Sequence, residues 1–210
     1  QIFPNVKGDF VTARIRVGNI TGKAGSGKIF FGCGTALSAE TQIIEELTAM
    51  TSKSVTWNTN GATIELQIPL GDYHSTWDEF HPNLRELRLE LKGDSANDSR
   101  STVFGLRDFH TDGSQFILNG RPVYFRGTHF GGDFPLTGYP PTDVAAWKKI
   151  IETCKSYGLN HIRFHSWCPP EAAFEAADEL GFYFQVECGM WNEFSPGGVM
   201  EKQLYSETDR

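Results

Sequence analysis

From Asp9 to about Phe109 the apolar positions alternate with polar ones. Val11, Ala13, Ile15 and Val17 are separated by Thr12, Arg14 and Arg16, and the pattern recurs at Ile64, Leu66, Ile68 and Leu70 and at Leu87, Leu89 and Leu91. A period of two puts one side of each segment in a core and the other in water, which predicts β-strands. Thr21-Gly22, Gly25-Ser26-Gly27, Asn60-Gly61 and Gly93-Asp94 are turn signals at intervals that suit an antiparallel sandwich. Residues 1–112 are therefore expected to form a β-sandwich of immunoglobulin-like size. The segment TQIIEELTAM (41–50) fits a short helix or a strand, its Thr and Ile content leaning toward the strand.

Asn119-Gly120 then joins SQFIL to RPVYF, a two-residue hairpin signal. After it the period changes. Pro141-Thr142 is expected to open a helix in which Val144, Trp147, Ile150, Ile151 and Cys154 recur at helical spacing until Gly158 closes it. The strand LNHIRFH follows. Pro169-Pro170 starts a second helix carrying Ala173, Phe174, Ala177 and Leu180, ended by Gly181, and the strand FYFQVEC comes directly after. Strand, helix, strand, helix, strand is the parallel βαβ pattern.

Within these strands parity separates an apolar from an ionisable face. Ile162 and Phe164 oppose His161, Arg163 and His165; Phe182, Phe184 and Val186 oppose Tyr183, Gln185 and Glu187; in VYFRGT, Val123 and Phe125 oppose Tyr124, Arg126 and Thr128. Strands of a doubly wound sheet are apolar on both faces. A closed barrel, with helices outside and a polar lining inside, accounts for the difference. Burying Arg126, Arg163 and Glu187 without a task is costly, which favours a site over a structural ion-pair network. In a strand, His161 and His165 are separated by about 13 Å and do not share a metal ion.

Composition narrows the partners. The 210 residues are 39% hydrophobic, enough for a real core, and the formal charge of -7 with no long basic run argues against nucleic acid or an anionic membrane. No apolar run approaches the length of a membrane span, and the chain opens on Gln1 with strand-like text rather than a signal peptide, so a trimmed piece of a longer protein is expected. Cys33, Cys154, Cys168 and Cys188 lack CxxC spacing and are expected to be free thiols, although Cys168 and Cys188 follow neighbouring strands and could meet. No cofactor is expected.

Three stretches together resemble glycoside hydrolase family 2: WDEFHPNLRELRLEL, FGLRDFHTDGSQFILNGRPVYFRGTHF and GLNHIRFHSWCPPEAAFEAADELGFYFQVE. The motifs that carry the resemblance fall at Trp77 to Leu84, Gly105-Leu106-Arg107, Asn119 to Pro122, Arg126-Gly127, Asn160 to Arg163 and Ala177 to Gly181. It implies a multi-domain β plus α/β protein. An immunoglobulin-like sandwich (1–112) would precede the first three βα units of a TIM (β/α)8 barrel (113–210) in an exo-acting, retaining β-glycosidase of the β-galactosidase type. Its acid/base and nucleophile, on barrel strands four and seven, would lie beyond Arg210, leaving these residues inactive alone.

By the same resemblance Arg163 orients and helps ionise the nucleophile. His165 and Trp167 stand where the family reads Arg-Thr-Ser-His-Tyr-Pro, the histidine one position early; His129 and Asp133 follow the Arg-Gly turn in text that departs from the family; Glu187 resembles a family acidic position near the pocket, the alternative being a structural ion pair with Arg126 or Arg163. Trp167 and Trp191 are candidates to stack on a sugar, whereas Trp57, Trp77 and Trp147 read as core. Glu193, though preceded by Asn192, follows the wrong strand to be the acid/base. The implied partner is the terminal sugar of a carbohydrate, with self-association through the open barrel. Two other readings stand: a non-catalytic carbohydrate-binding module, and a small α/β enzyme using Glu187 and Glu193.

Overall fold

A computed structural model describes residues 1–7, 9–19, 22–36, 50–70, 75–93 and 97–189. Strands β1 (Ile2–Asn5), β2 (Phe10–Val17) and β5 (Ala62–Pro69) pair antiparallel in the order β1-β2-β5. A second antiparallel sheet runs β4-β3-β6-β7, from β3 (Gly25–Thr35), β4 (Thr51–Trp57), β6 (Leu84–Gly93) and β7 (Asn97–Gly105). The alternating residues do what their period requires. Val11, Ala13, Leu66 and Ile68 from one sheet share a core with Ile29, Phe31, Cys33 and Leu87 from the other, making a β-sandwich. TQIIEELTAM lies, apart from Met50, outside the described residues.

One turn signal is corrected. Gly25-Ser26-Gly27 is the start of β3, not a turn. A Cβ on Gly25 would lie 2.7 Å from the Trp57 ring and one on Gly27 2.5 Å from the Lys92 carbonyl oxygen. The missing side chains serve close approach of strands rather than reversal of the chain. At Asn60-Gly61 the expected turn is present, with Gly61 at φ +94°.

Next comes a small antiparallel sheet of β8 (Phe109–Asp112), β9 (Gln115–Leu118) and β10 (Arg121–Val123). Asn119 (φ 51°) and Gly120 (φ 77°) both take the left-handed conformation that the two-residue hairpin demands. Pairing of Asp112 with Gln115 places residues 112 and 113 within the β8–β9 hairpin.

A parallel sheet β11-β12-β13 follows, built from β11 (Gly127–Phe130), β12 (His161–Phe164) and β13 (Tyr183–Val186), with α1 (Val144–Ser156) and α2 (Glu171–Leu180) between them. The first of these strands begins at Gly127 rather than Val123, which reverses the expected parity there. Register matches Gly127 with His161 and His129 with Arg163, so His129, not Thr128, shares a face with Arg163. The cause is Asn160. Its side chain accepts from the Arg126 N–H at 2.7 Å and donates to the Tyr124 carbonyl at 3.0 Å, occupying peptide groups that strand pairing would otherwise use. The other two strands keep the expected faces: Ile162 and Phe164 align with Phe184 and Val186, and His161 and Arg163 with Tyr183 and Gln185.

Helix α1 starts two residues after Thr142, because Asp143 is the cap. Its carboxylate accepts from the Ala146 N–H at 2.8 Å. Trp147 and Ile151 are buried as expected, and Gly158 (φ 76°) follows the helix end. Helix α2 buries Ala173, Ala176 and Ala177, while Phe174, expected in the core, is 38% exposed. Small side chains on that face let α2 lie close to the aromatic layer beneath. Phe164 sits in that layer with Trp147, Trp167 and Phe184 edge-on to it at centroid distances of 6.1, 5.0 and 4.7 Å. Edge-to-face pairs of this kind contribute about 1 kcal/mol each beyond burial.

Sandwich and parallel unit meet around Trp77, which is 1% exposed. Its Nε1–H donates to the Asp178 carbonyl of α2 at 2.7 Å, its backbone N–H donates to Leu106 at 2.8 Å, and Asn119 Nδ2 donates to its carbonyl at 3.0 Å. Beside it Gly181, at φ 66°, brings the end of α2 so near that a Cβ would lie 2.9 Å from the Glu79 carbonyl oxygen. Among the described residues no helix is long and apolar enough to cross a membrane.

Candidate functional site at the carboxyl ends of the parallel strands

Each parallel strand delivers one functional side chain to its carboxyl end: His129 from β11, Arg163 from β12 and Glu187 just beyond β13. Glu187 pairs with Arg163, which decides between the two partners the sequence allowed. Arg163 Nε and Nη2 both reach Glu187 Oε1, at 2.7 and 2.6 Å. Arg126 is directed elsewhere, its Nε donating to the Gly158 carbonyl at 2.9 Å and its Nη2 lying 3.8 Å from Glu79.

The second Glu187 oxygen accepts from the Ser166 N–H at 2.9 Å. Ser166 is at φ 61°, a left-handed conformation that costs a non-glycine residue about 1 kcal/mol. That strain turns the chain sharply after β12 and aims the N–H at the carboxylate. The Ser166 N–H, and after it the Arg163 guanidinium, hold the Glu187 carboxyl below the usual carboxylate range. Glu187 is thus an anion with both oxygens engaged, and it ties the end of β13 to the end of β12.

His165 follows β12 and extends its ladder, its N–H donating to the Phe130 carbonyl at 3.0 Å. Its Nδ1 lies 2.8 Å from His129 Nε2, so the two rings share a hydrogen bond between strand ends. Asp133 is near. A Cβ on Gly131 would sit 3.6 Å from His129 Cε1 and 3.8 Å from Asp133 Oδ2, so imidazole and carboxylate flank one glycine. Trp167 is anchored by Nε1 donating to the Phe130 carbonyl at 3.0 Å and by edge contacts with Phe130, Phe134 and Phe164. Its ring edge lines an open groove of about 580 Å3 with His165, Ser166, Tyr139 and the Gly131-Gly132 pair. Such a groove, with an aromatic wall and imidazole donors and acceptors, suits a polar ring-shaped ligand.

Six of the seven candidates, His129, Asp133, Arg163, His165, Trp167 and Glu187, thus gather at one end of the sheet. Trp191 and Glu193 lie outside the described residues. Sequence reasoning missed Ser166 and Tyr139: a serine before a tryptophan carries no signal for a left-handed turn, and Tyr139 stands in an irregular loop. Cys168 and Cys188 are exposed, Cys154 is half-buried and Cys33 is buried, and none of the four is in a disulfide. Among the described residues no group of three or more His, Cys, Asp or Glu side chains is arranged to hold a metal ion.

A second concavity, about 390 Å3 and mainly apolar, lies at the amino ends of the same strands against Trp77, Phe116, Phe125, His161 and Tyr183. Parallel β/α units bind their ligands at the opposite, carboxyl end. Here burial pushes the His161 imidazole down and the Tyr183 phenol up to about 12, so both are neutral near pH 7.

The resemblance to glycoside hydrolase family 2 holds in sequence and in fold. The β-galactosidase of Staphylococcus xylosus is 32% identical over 103 residues, 49% of this chain and 10% of that protein. The β-glucuronidase of Streptococcus agalactiae is 28% identical over 122 residues, 58% of this chain and 20% of that protein. A glycosyl hydrolase family 2 member from Bacteroides cellulosilyticus shares the fold with a TM-score of 0.71 at 20% identity, over 85% of this chain and 24% of that one. The chain therefore spans between a tenth and a quarter of the length of these proteins. No protein-family model matches it.

Proposed function

We propose that this chain is part of a retaining, exo-acting β-glycosidase of the family 2 type, in which an immunoglobulin-like sandwich (1–112) carries the opening βα units of a (β/α)8 barrel (113–210). The observation that carries the reading is the Arg163–Glu187–Ser166 cluster beside His129 and His165, at the end of a parallel sheet where barrels assemble catalytic sites. Arg163 positions and helps to ionise the nucleophile. His129, His165, Asp133 and Trp167 receive the terminal sugar. Both reacting carboxylates are supplied by strands outside these residues, so the 210-residue chain alone is inactive, and the uncovered sheet edges make it self-associate.

The test is a panel of aryl β-glycosides offered to the full-length protein that contains this chain. Arg163→Lys keeps the charge but loses the fork that binds one Glu187 oxygen through two nitrogens, and should lower kcat/KM by about a hundredfold. Sugar binding without hydrolysis would favour a carbohydrate-binding module instead. Hydrolysis by the isolated 210 residues, abolished in Glu193→Gln, would favour a small self-contained enzyme.

A further inference from the structure

The open groove of about 580 Å3 touches the strand-end cluster at one place. Among the described residues it is lined by His165 and Ser166 of that cluster, and not by Arg163, Glu187, His129 or Asp133. From there it extends to the β11–α1 loop, where Tyr139 and Pro140 line it. A ring bound in the groove therefore lies beside the group that Arg163 positions, not on it.

The lining is held in place by the protein's own hydrogen bonds. The Gly138 N–H donates to the Phe134 carbonyl at 2.7 Å, and Thr137 Oγ1 donates to the Tyr139 carbonyl at 2.7 Å. After Tyr139 the Pro140-Pro141 pair restricts the backbone, and Trp147 Nε1 of α1 donates to the Pro141 carbonyl at 2.8 Å. Tyr139 is thus pinned on both sides along the chain, yet the residue is 64% exposed. Trp167 is fixed by its Nε1–H on the Phe130 carbonyl. Gly131, Gly132 and Gly138 add no side chains to the lining. At Gly132, φ +85°, a Cβ would lie 3.6 Å from the Trp167 ring, against the edge that the groove exposes.

An aromatic ring on an ordered backbone, beside a slot kept clear by glycines, is a flat contact for the face of another ring and loses little conformational freedom when it binds one. The Tyr139 phenol and the Ser166 hydroxyl can each donate and accept, which suits a ring bearing hydroxyl groups. Most of these residues stand in FGGDFPLTGY, text that departs from the family, so the resemblance supplies no role for them.

An exo-acting enzyme holds the terminal sugar at its reacting carboxylates, and the ring bonded directly to that sugar is the leaving group's. We propose that the groove is the leaving-group subsite and Tyr139 its platform: it takes the ring, pyranose or aryl, to which the terminal sugar is bonded. This rests on the family 2 glycosidase reading above and adds the other half of its substrate.

The experiment uses the full-length protein with two substrates: the 4-nitrophenyl β-glycoside that it hydrolyses in the panel above, and the β-glycosyl fluoride of the same sugar, whose leaving group has no ring. Tyr139→Ala should lower kcat/KM about tenfold for the nitrophenyl glycoside, the size of one lost ring contact, and leave the fluoride within about twofold. Tyr139→Phe keeps the ring and should match the wild type on both.

Transfer to added D-glucose separates a sugar from an aryl ring. A glucose hydroxyl attacks the anomeric carbon of the glycosyl–enzyme ester; the new C–O bond forms as the bond to the enzyme carboxylate breaks, and the hydroxyl proton passes to the acid/base carboxylate. Disaccharide measured by mass spectrometry, falling about tenfold relative to hydrolysis in Tyr139→Ala, makes the groove a pyranose site. A loss confined to the nitrophenyl glycoside makes it an aryl site. Equal losses on glycoside and fluoride overturn the proposal, because they report a disturbed fold or terminal-sugar site. Absence of hydrolysis of every glycoside in the panel ends the glycosidase reading and this inference with it, whereas hydrolysis and transfer both untouched by Tyr139→Ala end this inference alone.

Discussion

Asn160 and Glu79 stand 81 residues apart and are joined by a hydrogen bond from Asn160 Nδ2 to Glu79 Oε2, which fastens the loop ahead of β6 to the start of β12. Asn160 is 4% exposed, and the same side chain also serves the Arg126 N–H and the Tyr124 carbonyl. Asn160→Ala therefore removes three partly buried hydrogen bonds at once and should cost about 3 kcal/mol in urea denaturation. Glu79→Gln keeps an oxygen to accept from Asn160. It gives up only the 3.8 Å approach to a half-exposed Arg126, and should stay within about 1 kcal/mol of wild type. Equal losses in the two variants would show that Asn160 is not the organising group.

At the other end of β12 the largest influence on Glu187 is a backbone N–H rather than a charge. A carbon-detected NMR titration should place its midpoint below the ordinary glutamate value of about 4.3. Because the folded value is depressed, Glu187 favours the folded state above the unfolded value, and that contribution is lost as pH falls through the folded one. Arg163→Ala removes the second influence and leaves the Ser166 N–H, so the midpoint should rise only part of the way. Full return to the ordinary value in Arg163→Ala would make the ion pair, not the Ser166 N–H, the dominant influence on this carboxylate.

How much of this was legible in the sequence depends on what kind of interaction placed each residue. Alternation at Val11 to Val17 and Ile64 to Leu70 found β2 and β5, because burial of one face is a property of consecutive residues. Parity found the faces of β12 and β13 for the same reason. It failed at Val123 to Thr128, where a side chain from a later strand, Asn160, takes the backbone groups. Trp77, Gly105-Leu106, Asn119, Asn160 and Gly181, from motifs that carried the family resemblance, meet at the seam between sandwich and parallel unit. They mark assembly more than chemistry. Arg163 is the motif residue that also reaches the candidate site, whereas the His129–His165 contact departs from the family text and became visible only once β11 and β12 were in register.

Two glycines with positive φ separate conformational strain from collision. At Gly61, φ is +94° and a Cβ would lie 2.2 Å from the Val17 carbonyl oxygen, a backbone atom held by β2. Gly113 has φ +57° with nothing within 4 Å. Gly113→Ala should cost about 1 kcal/mol, the left-handed penalty alone. Gly61→Ala adds a displacement of the strand and should cost about 3 kcal/mol. Thermal unfolding of both variants checks this, and similar melting temperatures would mean that the turn at Asn60-Gly61 shifts without disturbing β2.

His161 opens β12 at its amino end, with its ring 5.1 Å from Phe125 and its Nδ1 where a Cβ on Gly127 would come within 2.3 Å. Enclosure in that apolar corner disfavours the imidazolium and lowers the folded pKa beneath the ordinary histidine value of about 6.5. Between the two values the unfolded chain binds more protons than the folded one. Stability therefore rises with pH over that window, is fully present above the unfolded value and falls as pH drops toward the folded one. His161→Gln has no proton to gain, so the difference in unfolding free energy between wild type and variant should shift in the variant's favour between about pH 6.5 and pH 5. A pH-independent difference across that interval would mean that the ring is hydrated and charges freely, and that the aromatic contacts around it open in solution.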